Sequence, residues 1–370
     1  MSQIQAEPVR ILHVVTNMSY GGLENLLMNY YRNIDRTKIQ FDFLTHFQGH
    51  QDFEAEIQEL GGKLFRLPRL NPFDPRYLKK LNRFFLDHPE YQIVHSHLDC
   101  MAGIPLKYAK KNNIPVRVAH AHSSNQIHNL KYIIKLLCKP LILRYATSLF
   151  ACGSKAGSWM FSGKPFSVLK NAIDAKSFIC NKMAAEHTKE SLQIQNDFVI
   201  GHVGQFRQEK NHLFLIDVFN EILKKDTNCT LVLVGKGPQM ESAIAKVNAY
   251  GIAEHVMFLG ARSDIPKLMQ AMDVFVLPSL YEGFPVTMIE AQAAGLPCVI
   301  SAGVPLECKI TDEVTQIPLE KSPQVWAEEI LKYKDHIRRN NYDAIVAAGF
   351  DINANAKWLE EFYQNAISKR

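Results

Sequence analysis

The sequence predicts an α/β protein made of two Rossmann-like domains, each containing a mostly parallel sheet. Its 370 residues exceed what one ordinary core accommodates, and 47% of them are hydrophobic, which is enough for two packed interiors. Short apolar or β-branched runs alternate with amphipathic helical patterns along most of the chain. This alternation is typical of βαβ units, in which helices connect parallel strands.

The first series of strand and helix signals lies in the N-terminal half. A β-branched run over 10–16 is followed by a Gly-Gly turn and by an amphipathic helix over 23–34. Further strands are predicted where short apolar runs recur, at 39–45, 63–67, 93–96, 116–119 and 148–151.

The second series begins after a polar stretch over 171–196. Its strands are predicted at 198–203, 230–234, 256–259, 274–277 and 298–301, and its helices at 212–224, 238–249, 286–294 and 323–333. A last amphipathic helix is predicted over 354–367. Ligands of doubly wound sheets bind at the carboxyl ends of the strands, so we expect the functional site there.

The net charge of +5 is unevenly distributed along the chain. Residues 1–170 contain 22 Lys and Arg against 12 Asp and Glu, whereas the other 200 residues contain 20 against 25. The basic half would suit an anionic membrane surface or a phosphorylated acceptor, and charge by itself does not choose between them. This half carries no nucleic-acid recognition motif, so nucleic acid is not an expected partner.

The sequence offers no signal for crossing or leaving the membrane. No apolar run is long enough to span a bilayer, and the first ten residues hold no signal-peptide core. The seven cysteines are scattered and form no C-x-x-C pair, which favours free thiols in a reducing compartment. A cytoplasmic location is therefore expected.

Two loops of the second half carry features suited to a diphosphate. The loop over 204–211 follows a predicted strand and holds Arg207 and Lys210, whose cations can offset phosphate charge. The turn over 235–238 is a glycine-rich connection between a strand and a helix. Each feature alone is also typical of an ordinary solvated turn.

A third segment, over 279–295, supplies two carboxylates and the start of a helix. Pro285 stands where the helix begins, and unpaired N–H groups at such a terminus form an anion site. Glu282 lies in the loop and Glu290 in the helix, so one can reach a sugar hydroxyl and the other a ribose. Carboxylates accept two hydrogen bonds from a vicinal diol. With the loop cations, this segment predicts a nucleotide diphosphate-sugar ligand.

The run from Glu282 to Glu290 resembles the Glu-x7-Glu motif of the retaining glycosyltransferases of family four. These enzymes have the GT-B architecture, two facing Rossmann-like domains with a cleft between them. Gly21-Gly22-Leu23-Glu24 resembles the family's N-terminal Gly-Gly loop, and Asn171-Ala-Ile-Asp174 resembles its interdomain Asn-Gly-Ile-Asp. The likeness extends from residue 11 to about 295. The tail resembles the family helix that crosses back to the first domain.

The resemblance implies three parts of the chain and a set of site residues. The parts are an N-terminal acceptor-binding domain over 1–174, a C-terminal donor-binding domain over 175–352, and a helix over 353–370 that returns to the first domain. The implied catalytic residues are Glu282, beside the donor sugar, and His122. The implied donor-binding residues are Gly21, Gly22, Arg207, Lys210, Arg262, Glu282, Gly283, Phe284, Pro285, Val286 and Glu290, with Glu290 on the ribose.

The sequence departs from the family pattern at Ala172, which replaces the glycine of Asn-Gly-Ile-Asp, and with more consequence at Gln205. The family's arginine directly after Val-Gly is Gln205 here, and the nearest guanidinium is that of Arg207. Either Arg207 takes the missing role, or Lys210 and the backbone hold the diphosphate without it.

Two histidine pairs at predicted strand ends resemble the histidine-bearing strand ends of the family's acceptor domain. His95 and His97 share one face of a strand, as do His120 and His122. A zinc cluster is conceivable, but no Cys or carboxylate ligand is nearby in the sequence, and polar residues lining the acceptor side are the preferred interpretation. The chain contains no Asp-x-Asp. We therefore expect no metal and no cofactor.

The segment over 129–145 mixes cations with an apolar face. Its cations are Lys131, Lys135, Lys139 and Arg144. A buried helix with a basic edge explains the pattern, and so does peripheral attachment to an anionic membrane. The basic balance of this half favours the membrane.

The expected function is transfer of a sugar from a nucleotide diphosphate-sugar, a UDP-sugar by preference, to a saccharide acceptor. The motifs look most like those of bacterial exopolysaccharide and capsule enzymes, which implies a lipid-diphosphate-linked acceptor at the inner membrane face. The alternatives are a nucleotide-sugar epimerase or hydrolase of the same fold, or a nucleotide-sugar-binding protein without catalysis. A nicotinamide oxidoreductase is disfavoured because no G-x-G-x-x-G follows the first strand.

Overall fold

The computed structural model describes residues 7–122, 130–196 and 198–368, and only the backbone of 130–132. The chain forms two compact units. The first contains Met1–Ala172 and Ile352–Arg370, and the second contains Ile173–Asp351. The predicted boundaries, after residues 174 and 352, fall two residues and one residue from these divisions.

The first unit alternates strands and helices as its sequence pattern predicts. Its strands are β1 (Val9–Val14), β2 (Ile39–Thr45), β3 (Leu64–Arg66), β4 (Ile93–Ser96), β5 (Val116–Ala121), β6 (Ser148–Ala151) and β7 (Ser167–Val168). Its helices are α1 (Gly22–Asn33), α2 (Glu54–Glu59), α3 (Pro75–Asp87), α4 (Gly103–Lys111), α5 (Leu130–Cys138), α6 (Pro140–Tyr145) and α7 (Ser154–Phe161), with α15 (Ile352–Ser368) from the end of the chain.

The second unit repeats the same plan. Its strands are β8 (Phe198–Val203), β9 (Cys229–Val234), β10 (Val256–Gly260), β11 (Val274–Leu277), β12 (Cys298–Ser301) and β13 (Val314–Ile317). Its helices are α8 (Lys182–Ser191), α9 (His212–Leu223), α10 (Met240–Ala249), α11 (Ile265–Gln270), α12 (Val286–Ala293), α13 (Pro323–Leu331) and α14 (Tyr342–Ala347).

Both sheets are parallel and doubly wound. The strand order is β3-β2-β1-β4-β5-β6-β7 in the first unit and β10-β9-β8-β11-β12-β13 in the second. In each sheet the order reverses beside the first strand, between β1 and β4 and between β8 and β11. Such a reversal opens a crevice at the carboxyl ends of the strands, which is where ligands of these folds bind.

Apolar side chains cover both faces of each sheet, as a parallel sheet requires. The tail helix α15 belongs to the first unit, where Leu359 and Tyr363 are buried against α1 and the sheet. No helix in the described ranges is long and apolar enough to span a membrane.

The prediction of two α/β domains with parallel sheets is confirmed, with local differences. The short helices α11 and α14 of the second unit were not predicted. The edge strands β7 and β13 were not predicted, and the polar stretch over 171–196 contains the helix α8. The segment over 129–145 is two helices, not one, because Pro140 cannot continue α5. Asn129 lies outside the described residues, as do the side chains of residues 130–132.

Candidate functional site

Glu282 is held by two hydrogen-bond donors at the carboxyl edge of the second sheet. Its Oε1 accepts from Lys210 Nζ at 2.6 Å and from Ser279 Oγ at 2.6 Å. The Glu282 side chain is only 10% exposed and that of Lys210 18%. The carboxylate therefore has a fixed orientation, which a catalytic or binding group needs. The sequence analysis did not predict that Ser279 contacts Glu282.

The loop that carries Glu282 is fixed by its two neighbouring loops. The Leu280 N–H donates to Glu209 O at 2.8 Å in the loop after β8, and the Glu282 N–H donates to Gly303 O at 2.9 Å after β12. At Gly303 a Cβ would lie 2.3 Å from Leu280 O. Only glycine allows that approach, so Gly303 helps to hold Glu282 through the backbone.

The glycine-rich turn over 235–238 packs against the loop that carries Lys210. Gly235 has φ +144°, and a Cβ there would lie 2.0 Å from Gly204 O. The Phe206 N–H donates to Lys236 O at 3.0 Å, and Gln239 N–H donates back to Phe206 O at 2.9 Å. These glycines therefore allow the loops after β8 and β9 to pack closely, which shapes the path of the chain towards Lys210.

The N-terminus of α12 combines backbone N–H groups of a first helical turn with a buried hydroxyl. Pro285 is the residue before the helix, and Val286 is its first residue. Thr287 Oγ1, in the first turn, is buried and has no hydrogen-bond partner within the described residues. At Gly283 nothing described lies within 4 Å of where a Cβ would stand. The sequence analysis missed Thr287. Phe284 stacks on Phe350 at 5.5 Å between ring centroids and so anchors the loop.

Glu290 lies in α12, one turn after its first residue, Val286. Its environment differs from that of Glu282. Although part of its side chain is exposed, burial of the carboxyl raises its pKa from 4.5 to about 7. Burial is the only cause of this shift, since no neighbouring charge contributes. A buried carboxyl of this kind gains from a ligand that donates hydrogen bonds to it.

The two arginines of the predicted donor set are not in contact with Glu282. The Arg207 side chain is 57% exposed, and its nearest ionic partner, Glu209, is 4.0 Å away. Arg262 forms two hydrogen bonds to the Asp264 carboxylate, at 2.8 and 2.6 Å. Arg262 is therefore already paired, whereas Arg207 can reorient.

Gly21 and Gly22 stand at the start of α1 in the first unit. Gly21 precedes the helix in an extended conformation, and a Cβ there would meet the Glu24 carboxylate at 2.3 Å. At Gly22 no described atom lies within 4 Å of a Cβ position. The space beside Gly22 is therefore open to a ligand at a helix N-terminus.

The histidines form a stacked cluster within the first unit. The structure brings His95, His97, His120 and His122 together and adds His13 from β1. His13 is the register partner of His95, so the strand order could have revealed it. Burial lowers the pKa of His13 and of His122 to about 3, and lowers the pKa of the other three as well.

The expectation that all four predicted histidines line the acceptor side needs correction. His95, His97 and His120 are at most 4% exposed, because apolar side chains and α15 cover this face of the sheet. Only His122 is partly exposed. Two triads, His13 with His95 and His97, and His97 with His120 and His122, each place three nitrogens within 4.8 Å of one another. These are the described groups with metal-ligand chemistry.

Part of the predicted basic and apolar segment over 129–145 lies on an exposed groove, together with residues from elsewhere in the first unit. Phe73 and Leu137 are 67% and 68% exposed and line one groove of about 250 Å³ with Lys107. Lys139 instead donates to Trp159 O and lies 4.6 Å from the centre of that indole ring. Lys139 therefore belongs to the packing of the unit and not to its exposed cations.

Comparisons with known proteins identify the family. Residues 20–176 match the family Glycosyltransferase Family 4, and residues 184–344 match the family Glycosyl transferases group 1. EpsF of Bacillus subtilis (strain 168), named as a glycosyltransferase, is 34% identical over 374 residues that cover 97% of each chain. The chain is a family 4 glycosyltransferase.

Other relatives of this glycosyltransferase carry more detailed names. The UDP-Gal:alpha-D-GlcNAc-diphosphoundecaprenol alpha-1,3-galactosyltransferase of Escherichia coli is 32% identical over 299 residues, 76% of this chain and 77% of its own length. The capsular polysaccharide biosynthesis glycosyltransferase CapH of Staphylococcus aureus is 25% identical over 96% of this chain and 99% of its own.

Solved structures share the fold of this glycosyltransferase. HepE of Anabaena, crystallised with UDP and glucose, matches with a TM-score of 0.77 at 20% identity over 96% of this chain and 99% of its own. WaaG, a glycosyltransferase involved in lipopolysaccharide biosynthesis, matches with a TM-score of 0.65 at 16% identity over 91% of this chain and 98% of its own. The GT-B fold predicted from the sequence is thereby confirmed.

Proposed function

We propose that this glycosyltransferase transfers a sugar, with retention, from a UDP-sugar to a lipid-diphosphate-linked saccharide in exopolysaccharide or capsule biosynthesis. The observation that carries the donor half is the arrangement of Lys210, Ser279 and Glu282 beside α12, with Glu290 on the same helix. The names of the Escherichia coli and Staphylococcus aureus relatives support the donor, the acceptor and the pathway.

Each group of the second unit has a role that suits its surroundings. Glu290, whose carboxyl is buried and has no charged partner within the described ranges, accepts hydrogen bonds from the ribose hydroxyls. Glu282, held by Lys210 and Ser279, accepts from a hydroxyl of the transferred sugar. Lys210 can then share its ammonium between this carboxylate and a phosphate oxygen.

The leaving diphosphate gains negative charge as the glycosidic bond breaks. Groups that meet this charge lower the barrier only if they bind it more strongly than they bind the intact donor. Lys210, Arg207, the Thr287 hydroxyl and the free N–H groups of α12 are the candidates in the second unit. The donor-binding role of Gly21 and Gly22, at the start of α1 in the first unit, stays a prediction from the family resemblance.

We propose that these groups suffice without a metal ion. The proposal rests on the absence of Asp-x-Asp from the sequence and on the supply of protein cations and helix termini for the diphosphate. Transfer measured after exhaustive chelation should equal transfer before it. Loss of activity that magnesium or manganese restores would contradict this proposal.

The acceptor half of the proposal includes contact with an anionic membrane at the cytoplasmic face. Residues 100–173 contain 11 Lys and Arg and no Asp or Glu. The exposed Phe73 and Leu137 line a groove with Lys107, one of these cations, and such apolar side chains can insert below lipid headgroups. The arrangement would bring the enzyme to an acceptor that is itself embedded in the bilayer.

One experiment tests the activity as a whole. The purified protein is incubated with a panel of UDP-sugars, with and without diphosphoundecaprenol-linked GlcNAc in anionic vesicles, and products are analysed by mass spectrometry and NMR. We expect sugar transfer with an α-linkage from an α-linked donor. Donor turnover without acceptor would favour a hydrolase or epimerase, and donor binding without turnover would favour a binding protein.

A further inference from the structure

Three of the five clustered histidines form a continuous hydrogen-bonded chain. His13 Nδ1 and His97 Nε2 are 2.9 Å apart, and His97 Nδ1 and His122 Nε2 are also 2.9 Å apart. His13 lies in β1, His97 directly follows β4, and His122 directly follows β5. Each step crosses to the next strand and climbs towards the carboxyl edge, so the chain leads from the core to the partly exposed His122.

Every ring in this chain is neutral at physiological pH, because burial lowers the pKa of all three. A neutral imidazole has one N–H donor and one bare acceptor nitrogen. In each contact one ring must donate and the other accept, so the tautomer of one ring dictates the tautomers of the other two. The chain has only two consistent arrangements, and in each all protons lie on nitrogens of the same type.

The buried end of the chain decides between the two arrangements. His13 Nε2 is enclosed beside Phe41 and Phe43 and has no hydrogen-bond partner among residues 7–122, 130–196 and 198–368. Among buried backbone groups, N–H donors without a partner are rarer than under-satisfied carbonyl acceptors. We apply the same preference to the imidazole, so that its unpartnered nitrogen is the bare acceptor. The His13 proton therefore lies on Nδ1, which donates to His97. His97 then carries its own proton on Nδ1 and donates it to His122 Nε2.

We propose that His13 and His97 are positioning residues that fix His122 as its Nδ1–H tautomer. His122 then presents an N–H, and not a bare nitrogen, to any ligand at the carboxyl edge of the sheet. Its partner is an acceptor oxygen, such as a hydroxyl or phosphate oxygen of the substrate. This assignment of the partner rests on the proposed function, whereas the tautomer does not depend on it.

The ring geometry favours this chain over a shared metal ion. Ligand lone pairs lie in the plane of an imidazole, so metal-bound rings must aim their planes at one point. His95 and His97 instead stack with centroids 4.3 Å apart and planes at 22°. The ring planes of His13 and His97 also differ by only 22°, but here the centroids are 5.2 Å apart and Nδ1 and Nε2 approach to 2.9 Å, which suits an N–H···N bond. A metal ion bound by these histidines is the alternative, and the experiment must be able to detect it.

The chain locks a tautomer and does not carry net protons. A proton entering at His122 would have to end as a charge on His97 or His13, where burial strongly disfavours the cation. His122 is thus a hydrogen-bond donor to the substrate, and no covalent step is assigned to it.

The tautomer can be read directly in the wild-type protein. Two-bond ¹H–¹⁵N correlation spectra of ¹⁵N-histidine-labelled protein distinguish Nδ1–H from Nε2–H rings, and His122→Asn assigns the His122 signal. The Nδ1–H pattern without any donor present supports the proposal. An Nε2–H pattern for His122 overturns it, even if the protein proves to be an active glycosyltransferase. Metal analysis of the same sample that found a stoichiometric ion would also overturn it.

A matched pair of variants then tests the role of His97. The side-chain amide nitrogen of Asn stands near the position of Nδ1, whereas that of Gln stands near Nε2. His97→Asn should therefore keep the donor to His122 and its Nδ1–H tautomer. His97→Gln should release His122 to a mixture of tautomers and lower kcat by roughly tenfold, as loss of one hydrogen bond implies. Equal tautomers and equal kcat in the two variants would contradict the positioning role.

A control separates this effect from simple loss of stability. His46 is buried in the same unit, with hydrogen bonds to Val15 O at 3.0 Å and to the Tyr77 hydroxyl at 2.9 Å, but it is not in the chain. His46→Asn should lower the melting temperature about as much as the His97 variants do, yet leave the His122 tautomer and kcat unchanged. If either His97 variant fails to fold, the wild-type spectrum still decides the tautomer.

Discussion

Glu282 and Glu290 illustrate how local surroundings separate two carboxylates of one motif. Glu282 is fixed by an ammonium and a hydroxyl, each at 2.6 Å, so its negative charge is compensated before any ligand arrives. Glu290 has no such compensation, and burial raises its pKa to about 7. The spacing of the motif predicted two carboxylates at one helix start, but the sequence does not contain the difference between them. That difference arises from loops distant in the chain.

The raised pKa of Glu290 predicts a pH-dependent cost to stability. Between pH 4.5 and about 7, Glu290 keeps its proton in the folded protein but has lost it in the unfolded chain. The free energy of unfolding should therefore fall by up to about 1.4 kcal/mol per pH unit across this range. Glu290→Gln removes this term, so urea unfolding should show the variant gaining on wild type as the pH rises from 4.5 to 7.

The same variant should bind the donor more weakly. Loss of a charged acceptor costs about 1.5–3 kcal/mol, which is roughly tenfold to a hundredfold in the Kd of a UDP-sugar measured by calorimetry. The exposed Glu320→Gln is the control and should change neither quantity. Wild-type donor affinity in Glu290→Gln would remove Glu290 from the ribose site.

Lys210 and Arg207 should differ in how much each contributes to catalysis. Lys210 is mostly shielded from solvent and paired with Glu282, whereas Arg207 is exposed and weakly paired. Lys210→Gln should lower kcat/KM by roughly 10²–10³, as loss of a preorganised charge-stabilising group does. Arg207→Gln should cost at most about tenfold in the same assay. The opposite ranking would mean that Arg207 has taken over the role of the arginine that Gln205 replaces.

At the scale of elements, the sequence predicted the strands well and the loops poorly. Apolar runs such as 198–203 and 274–277 become β8 and β11, because a strand buried on both faces must be apolar throughout. The short edge strands β7 and β13 were missed, because both residues of β7 are exposed and only the two end residues of β13 are buried, so neither strand has that signature. The contacts between the loops after β8, β9, β11 and β12 depend on tertiary packing, which residue spacing does not encode.

The packing of two of these loops gives a prediction about glycine. Gly235→Ala would place a Cβ 2.0 Å from Gly204 O at φ +144°, so the loop leading to Lys210 must move. Gly251→Ala is the matched control, since Gly251 also has positive φ, +68°, but open space around it. We expect Gly235→Ala to lose about 1–3 kcal/mol more stability in urea unfolding, as overpacking does, together with donor affinity. Equal losses would show that backbone strain alone acts at both positions.

At the scale of the whole molecule, two similar units have opposite charge. The first unit contains the cation-rich stretch over 100–173, and the second holds the carboxylates of the Glu-x7-Glu motif. Family membership and the GT-B fold follow from similarity along nearly the entire chain. The charge asymmetry is a property of this sequence in particular, and it concerns the partner of the first unit more than the fold.

The charge and the exposed groove of the first unit together predict reversible binding to anionic vesicles. Phe73, Leu137 and Lys107 share the groove, and each cation near such a surface contributes about 1 kcal/mol. Phe73→Ser with Leu137→Ser, and separately Lys107→Gln with Lys110→Gln, should each weaken co-sedimentation with phosphatidylglycerol vesicles, and salt should weaken the wild type. Lys139→Gln is the discriminating control, because the Lys139 ammonium is already bound to Trp159 and should not contribute.

Donor hydrolysis should survive in both double variants, since the proposed donor carboxylates belong to the second unit. Transfer to a vesicle-embedded acceptor should fall more than transfer to a soluble analogue. Equal vesicle binding by all variants would show that the groove is not the membrane contact.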